Sequence, residues 1–277
     1  MTALLCVGNV TVDEAVFPDG RRVEQAGGDA IFAALAARLV IDDVRVCAPI
    51  GHDLPPSMLA EWQAAGLRTE DMPHRDEPTV RNVITYRADG SRSWYLVNGE
   101  AHFDRMSVYP ADLPSRAADG VLVSAMSNAS MAALLPRLAG RGRIYLDLQE
   151  DGLGPEVRAL VRHCDVFLPS EVEARALSGT QDLAAAARAF AADGPAVVVI
   201  KKAEKGSLVY ADGTLTEVPA ELVTPIDSTG AGDAFCGAFA AAHLAGADPV
   251  EAAKRAASVA RLAVSDHGTR GLLGAAR

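Results

Sequence analysis

The stretch that decides how this chain is read runs from Thr224 to Gly246, "TPIDSTGAGDAFCGAFAAAHLAG". Gly230, Ala231, Gly232 and then Asp233 stand directly before a helical run rich in alanine and glycine. The first amides of a helix have no partner within it and lie at the positive end of its dipole. Glycines there let an anion approach the backbone with no Cβ in the way, which suits phosphate. A carboxylate at Asp233 would repel that ligand, so its presence points to chemistry: accepting a proton from an attacking hydroxyl. From the tetrapeptide alone a second reading stands beside this one, a helix start with small residues for packing and Asp233 as a partner for the dipole.

Working outward, short apolar runs rich in branched residues alternate with helical patterns. "ALLCVGNV" precedes helix "DAIFAALAARLV", then strand "VRVCAPIG" and helix "PSMLAEWQAAG". Later come "GVLVSAM", helix "MAALLPRLAG", strand "RIYLDL", helix "PEVRALVRHC", strand "DVFLPS", helices "EVEARALSG" and "LAAAARAFAAD", and strand "AVVVIKK". Continuous apolar strands between amphipathic helices indicate an α/β fold whose parallel sheet is covered on both faces. No repeat, low-complexity tract or linker interrupts the chain, so residues 1–277 read as a single domain. Two segments near 10–26 and 80–104 break the pattern. Pro18-Asp19-Gly20 and Ala88-Asp89-Gly90 lie between β-prone flanks, as in hairpins. These predict a small β lid beside the main sheet, or else edge decoration.

Composition narrows the function. The chain has 277 residues, 49% hydrophobic, and a formal net charge of −10, which argues against a nucleic-acid partner. No apolar run approaches the roughly 20 residues of a membrane span, and "MTALLCVGNV" reads as a buried first strand rather than a secretion signal. Cys6, Cys47, Cys164 and Cys236 form no C-x-x-C pair and each sits in an apolar stretch, so they read as buried thiols in a reducing, cytoplasmic setting. The six histidines are scattered, and none is assigned to a metal. No G-x-x-x-x-G-K-[ST] occurs, and "GLGPEV" has Val157 where a dinucleotide fingerprint needs its third glycine.

"DSTGAGDAFCGAF" resembles the C-terminal signature of the ribokinase/PfkB family of carbohydrate kinases, Asp-Thr-x-Gly-Ala-Gly-Asp, with Thr229 one position late. "AGGDAIFAALAARLV" is similar to the family's Gly-Gly motif opening a helix, and "APIGHDLPPSMLAEWQAAGL" to its Gly-x-Asp segment. "DVFLPSEVEARALSG" resembles the strand ending in Asn-x-x-Glu, and "VVVIKKAEKGSLVY" the strand and glycine-containing turn that follow. These elements occur in family order along nearly the whole chain.

The resemblance implies a three-layer α-β-α, ribokinase-like fold and transfer of the γ-phosphoryl of ATP to a hydroxyl of a small sugar or polyol. Asp233 matches the catalytic base, and the amides of Gly230, Ala231 and Gly232 the anion hole. On the nucleotide side Ser170, Glu173, Lys201, Gly206, Thr229, Ala257 and Gly268 occupy family positions. Glu173 is expected to help hold Mg2+, often through water, or else to be a helix-surface glutamate. Ser170 stands in place of the family's Asn. Lys201 stands where many relatives have Thr, either reaching a phosphate or ending its strand in solvent. Ala256 and Ala257 match a small-residue wall beside adenine, or simply pack a helix. Asp227 and the loop around Gly268 resemble a monovalent-cation (K+) site of some relatives.

On the acceptor side, Thr11 and Asp13 match the segment that binds sugar hydroxyls, with a surface charge on the hairpin as the other reading of Asp13. Gly27 and Gly28 are expected to let the substrate lie on the backbone. Asp29 stands where ribose kinases carry Lys, and Phe32 where they carry Asn. Both changes argue against ribose itself; Phe32 either stacks on a ring or fills the core. Arg81, Arg87 and Arg92 either close over an anion or are solvated strand charges. The expected partners are a small-molecule sugar, polyol or nucleoside and a second copy of the chain paired through the lid. Besides the sugar or polyol kinase, a nucleoside kinase of the same family remains open. A ligand-binding protein without turnover is opposed by the intact Gly-Ala-Gly-Asp, and a dehydrogenase by the missing fingerprint.

Overall fold

In the computed structural model, residues 2–87, 92–149 and 152–276 are described. The chain forms β1 (Ala3–Val7), β2 (Thr11–Val16), β3 (Arg22–Gly27), α1 (Asp29–Arg38), β4 (Asp43–Cys47), β5 (Ile50–Gly51), α2 (Pro56–Ala64), β6 (His74–Arg75), β7 (Val80–Tyr86), β8 (Arg92–Leu96) and α3 (Glu100–Arg105). It continues through β9 (Gly120–Val123), α4 (Asn128–Leu134), β10 (Arg143–Leu146), α5 (Pro155–Arg158), β11 (Val166–Phe167), α6 (Glu171–Ser178), α7 (Leu183–Asp193) and β12 (Val197–Lys201). The last elements are β13 (Ser207–Ala211), β14 (Thr214–Val218), α8 (Ala231–Leu244), α9 (Pro249–Ala263) and α10 (Arg270–Ala275).

The main sheet has eight strands in the order β14-β13-β12-β11-β10-β9-β1-β4. Pairing is parallel from β4 to β12 and antiparallel for β13 and β14 at one edge. Alternate residues of one strand feed two cores, as the strand period of two requires. Leu4, Cys6, Val44, Val46 and Leu122 pack with α1, α8 and α9. Leu5, Val7, Val121, Val123 and Leu146 pack with α4 and α7. The three expected layers follow from this division. Helices α1 and α8 approach closely at Gly237, where a Cβ would run into the Ala33 backbone, so the small-residue character of α8 is a packing requirement.

The hairpins at 10–26 and 80–96 do not stay separate. They merge into one four-stranded sheet, β3-β2-β7-β8, because β2 pairs in parallel with β7. The turn Ala88-Asp89-Gly90 lies outside the described residues. The second hairpin ends at Leu96, and Glu100–Arg105 is helical rather than extended. Two expected helices are interrupted. Pro136 lies in a 3-10 turn, Leu135–Arg137, that ends α4, and only Pro155–Arg158 of "PEVRALVRHC" is α-helical before a 3-10 turn at Val161–His163. "GLGPEV" therefore opens a one-turn helix. The four cysteines are free and buried. Among the described residues no helix is long and apolar enough to cross a membrane.

Candidate active site

Gly230 caps α8 with φ 74°, a left-handed conformation that few residues other than glycine adopt. The Phe32 ring of α1 lies against its Cα, where a side chain would otherwise be. Phe32 is 2% exposed. It packs beneath the glycine loop and also lines the larger of the two cavities that meet at Asp233. Ala231, Gly232 and Asp233 form the first turn of α8, where amides lack intrahelical partners.

Asp233 sits at the floor of a cleft. Burial, reinforced by the nearby Asp147 charge and opposed by Lys201, pushes its carboxyl up to about 7. Asp147, at the end of β10, is 2% exposed and accepts from Lys201 Nζ at 2.5 Å. Lys201 also donates to Cys236 Sγ of α8 at 3.2 Å. It is held inside the protein, so the reading of a solvated strand-end lysine does not stand. Burial and the charges of Asp233, Asp147 and Asp13 push Asp29, at the start of α1, well above the ordinary carboxylate range.

Two cavities meet at Asp233. One, of about 920 Å³, is lined by Asn9, Thr11, Asp13, Gly28, Asp29, Asn82, Trp94, Leu96, Phe103, Asn128, Thr229 and Gly230 among others. The second, of about 630 Å³, runs along Ser170, Glu173, Lys201, Gly206, Leu222, Ala231, Gly232, Ala257 and Val264. The glycine loop straddles the junction, with Gly230 on one side and Ala231 and Gly232 on the other. The tetrapeptide thus opens its helix where the two cavities meet.

In the larger cavity Asp13 is 4% exposed and accepts from Asn82 Nδ2 at 3.0 Å. Burial pushes its carboxyl up to about 6. It is not a surface charge of the hairpin. At Gly27 the room a Cβ would take is filled by Thr11 Oγ1 and the Asp13 carboxylate. At Gly28 it is filled by the Asn9–Val10 backbone. Both glycines are thus required by close approach of the protein's own groups, and Gly28 also lines the cavity. Asn9 donates to Ala125 O at 2.6 Å, while its buried Oδ1 has no protein partner.

In the smaller cavity Ser170 caps α6 and accepts from Glu173 N at 3.1 Å, while Glu173 Oε2 accepts from Ser170 N at 2.8 Å. Glu173 is buried, so it is no helix-surface glutamate. Gly206 and Ala257 line this groove. Ala256 is fully buried and packs the helix. Two expected nucleotide-side residues lie elsewhere: Thr229 lines the larger cavity, and Gly268 lines neither. Among the described residues no group of three or more His, Cys, Asp or Glu side chains is arranged to hold a metal.

The lid reaches the glycine loop through Asp227. Its carboxylate accepts from Tyr86 Oη at 2.8 Å, Thr229 N at 2.9 Å and Gly268 N at 3.3 Å. Arg92 Nη1 lies 3.4 Å from it and donates to Ser228 Oγ at 2.5 Å. Burial works against ionisation, yet these donors hold Asp227 below the ordinary carboxylate range. Tyr86 and Arg92 are opposite each other across β7 and β8. Phe17 stacks on Tyr86 at 5.3 Å, and His267 meets both rings edge-on. The sheet is thus a lid closed on the body, not decoration. Arg81 instead pairs with Asp53 and Glu24, and Arg87 donates to Ser93, so of the three lid arginines Arg92 lines the cavity.

The sequence reading passed over Asp147, Asn82, Tyr86 and Trp94. A signal existed for Asp147: it follows the apolar residues Ile144, Tyr145 and Leu146 at the carboxyl end of a parallel strand, where open α/β sheets place their ligand sites. Asn82, Ile84 and Tyr86 share one face of β7 by alternation, but which face meets the cleft depends on its pairing with β2.

Residues 1–274 match the family described as pfkB family carbohydrate kinase. The chain is 32% identical over 257 residues to cytidine kinase of Thermococcus kodakarensis, covering 89% of this chain and 90% of that protein. Its fold superimposes on ribokinase from Giardia lamblia with a TM-score of 0.83 at 19% identity, covering 98% and 97% of the two chains. It superimposes on aminoimidazole riboside kinase from Salmonella enterica, solved with aminoimidazole riboside and an ATP analogue, with a TM-score of 0.80 at 18% identity, covering 98% and 96%.

Proposed function

The chain belongs to the pfkB family of carbohydrate kinases, and from that premise we propose that it phosphorylates a hydroxyl of a nucleoside with ATP, the acceptor in the larger cavity and ATP in the smaller. The observation that carries the choice of acceptor is the size and lining of the larger cavity. At about 920 Å³ it is in the range that accommodates a drug-sized ligand. Its wall offers one set of polar groups, Asn9, Thr11, Asp13, Asp29 and Asn82, and a set of apolar ones, Trp94, Leu96 and Phe103, with Glu100, Asp104, Asn128 and Gln149 also lining it. A ribosyl group fits the first and a base the second. The buried Asn9 Oδ1 is an acceptor awaiting a donor such as a hydroxyl. The likeness to cytidine kinase along most of both chains supports the same reading. A free sugar or polyol is the second reading, favoured by the five polar groups and leaving the aromatic groups unused.

Asp233 takes the proton of the attacking hydroxyl, and a carboxyl whose affinity for protons is raised to about 7 is a better base than an exposed one. The amides of Gly230, Ala231 and Gly232 bind the charge that spreads over the phosphoryl oxygens in a loose transition state. Glu173 would hold, through water, the Mg2+ that accompanies ATP, and the ion would supply neutralisation of phosphate charge. Its carboxylate chemistry fits such a role, because Mg2+ keeps several waters and few protein ligands. The expected monovalent cation does not fit at Asp227. Four donors already surround that carboxylate, and Arg92 supplies a positive charge there. Tyr95 on the outer face of β8 is 65% exposed and supports pairing of two chains through the lid. The free thiols fit a cytoplasmic location.

The test is acceptor-dependent ADP release with a panel of nucleosides, pentoses, hexoses and polyols, with and without Mg2+. A nucleoside should give the highest kcat/KM. A pentose or polyol exceeding every nucleoside would select the second reading, and release independent of any acceptor would remove the kinase assignment.

A further inference from the structure

Among the described residues, two line both cavities: Asp233 and Arg92. They stand where the two cavities meet. The two walls carry, among others, the carboxyl groups of Asp13, Asp29, Asp147, Glu173 and Asp233. A phosphoryl group carries roughly two negative charges, so crossing here is unfavourable without a cation. The other basic residues on these walls each face a carboxylate of their own, Lys201 among them although it stands beside Gly232 and Asp233. Lys201 is held by Asp147 at 2.5 Å, Lys202 by Glu217, and Arg261 by Glu221 at 3.1 Å. Arg92 has its short bond, 2.5 Å, to the uncharged Ser228 Oγ; its carboxylate neighbour Asp227 is 3.4 Å away, and its guanidinium lies 4.6 Å over the Trp94 ring.

Resting on the kinase reading, we infer that Arg92 is the cation that meets the phosphoryl group as it crosses, carried to the junction by the lid. The acceptor oxygen forms its bond to phosphorus, the bond from phosphorus to the ADP oxygen breaks, and the hydroxyl proton goes to Asp233. Arg92 keeps its protons throughout and contributes charge and a planar fork of donors. Ser228 Oγ and Asp227 park it beside Gly230, so closing the lid and completing the charge balance are one event. This places on the lid a group that acts on the chemistry, and it accounts for a lid strand that ends at the glycine loop rather than at the acceptor.

The experiment compares Arg92→Met, Arg92→Lys and Tyr86→Phe with the native chain, using acceptor-dependent ADP release, ADP binding by calorimetry and thermal melts. Tyr86→Phe removes the other lid bond to Asp227 and leaves the guanidinium, so it reports lid closure alone. With Arg92 at the phosphoryl, kcat falls by at least about 10² in Arg92→Met. In that variant ADP affinity stays within about threefold, and added guanidinium ion restores part of the rate. Arg92→Lys falls between, because a point charge replaces the fork. Tyr86→Phe loses less than about tenfold. The inference is overturned by an Arg92→Met enzyme within about threefold of native kcat. Equal losses in Arg92→Met and Tyr86→Phe without guanidinium rescue also overturn it, since Arg92 is then only a clasp. Should Arg92→Met fail to fold, Arg92→Lys decides: native-like kcat with the native melting point overturns the inference. A native chain without turnover on any acceptor removes the kinase reading instead, and this inference with it.

Discussion

Gly230→Ala tests the glycine loop at its tightest point. Two costs add. A non-glycine residue at φ 74° costs about 1–2 kcal/mol. The new Cβ would also run into the ring of Phe32, which is 2% exposed. Overpacking of this kind costs about 1–3 kcal/mol, so the fold loses about 2–5 kcal/mol in all. For a chain of this length that is a fall in Tm of roughly 5–15 °C. Relaxation of the loop also shifts the amides of Ala231 and Gly232, and misplacing one such donor costs about 10²–10³ in kcat. Differential scanning calorimetry and acceptor-dependent ADP release measure the two effects. Phe32→Leu supplies the internal check: in the double variant the steric part is relieved while the backbone part stays. The two substitutions should therefore couple by at least about 1 kcal/mol in stability. A Gly230→Ala chain that melts within about 2 °C of native with kcat within about threefold would refute the claim that this backbone shape carries the anion hole.

The other expectations concern charge. Asp233→Asn should lower kcat by more than about 10² while leaving ADP binding nearly unchanged, and native kcat should fall as pH drops below about 7, where Asp233 takes up its proton. The same variant has an opposite signature in stability. Raising the folded pKa from 3.8 to about 7 makes ionised Asp233 a burden that is absent below about pH 4 and complete above 7. Asp233→Asn should therefore melt above native at pH 8, with a margin that shrinks on acidification; a margin that grows toward acid would contradict the burial of this carboxyl. Lys201→Met strands Asp147 and should cost about 3–5 kcal/mol, seen as loss of chemical stability in urea, whereas the double variant Lys201→Met with Asp147→Leu should recover most of it. Glu173→Gln keeps the capping box with Ser170 but drops the charge. It should melt close to native and need several-fold more Mg2+ for half-maximal turnover, and an unchanged Mg2+ requirement would reduce Glu173 to a cap.

Much of the architecture was legible in local pattern. The apolar run of β1, the alternation with α1 and β4, and the amphipathic α6 and α7 are encoded in neighbouring residues, because the periods of strand and helix are local properties. The boundaries that went astray, at α3, α4 and α5, are places where a proline or the start of a turn competes with the apolar pattern. Gly230 through Asp233 was equally legible, since the chemistry of a helix N-terminus needs only consecutive residues. The side-chain roles around it were not. Whether Phe32 touches substrate or packs under Gly230 depends on how α1 crosses α8, and no spacing within "AGGDAIFAA" carries that information.

By itself, then, the chain's order of residues determined a covered parallel sheet, two hairpins and a glycine loop with a carboxylate in its first helical turn. Tertiary structure alone decided that the hairpins join through β2 and β7, that Lys201 faces Asp147 across 54 positions, and that Tyr86 and Arg92 come to Asp227 across 141 and 135. The physical reason is one of range. Backbone periodicity and caps depend on groups a few bonds apart, whereas charges meet across a cleft only after strand order and register have set which faces look at each other.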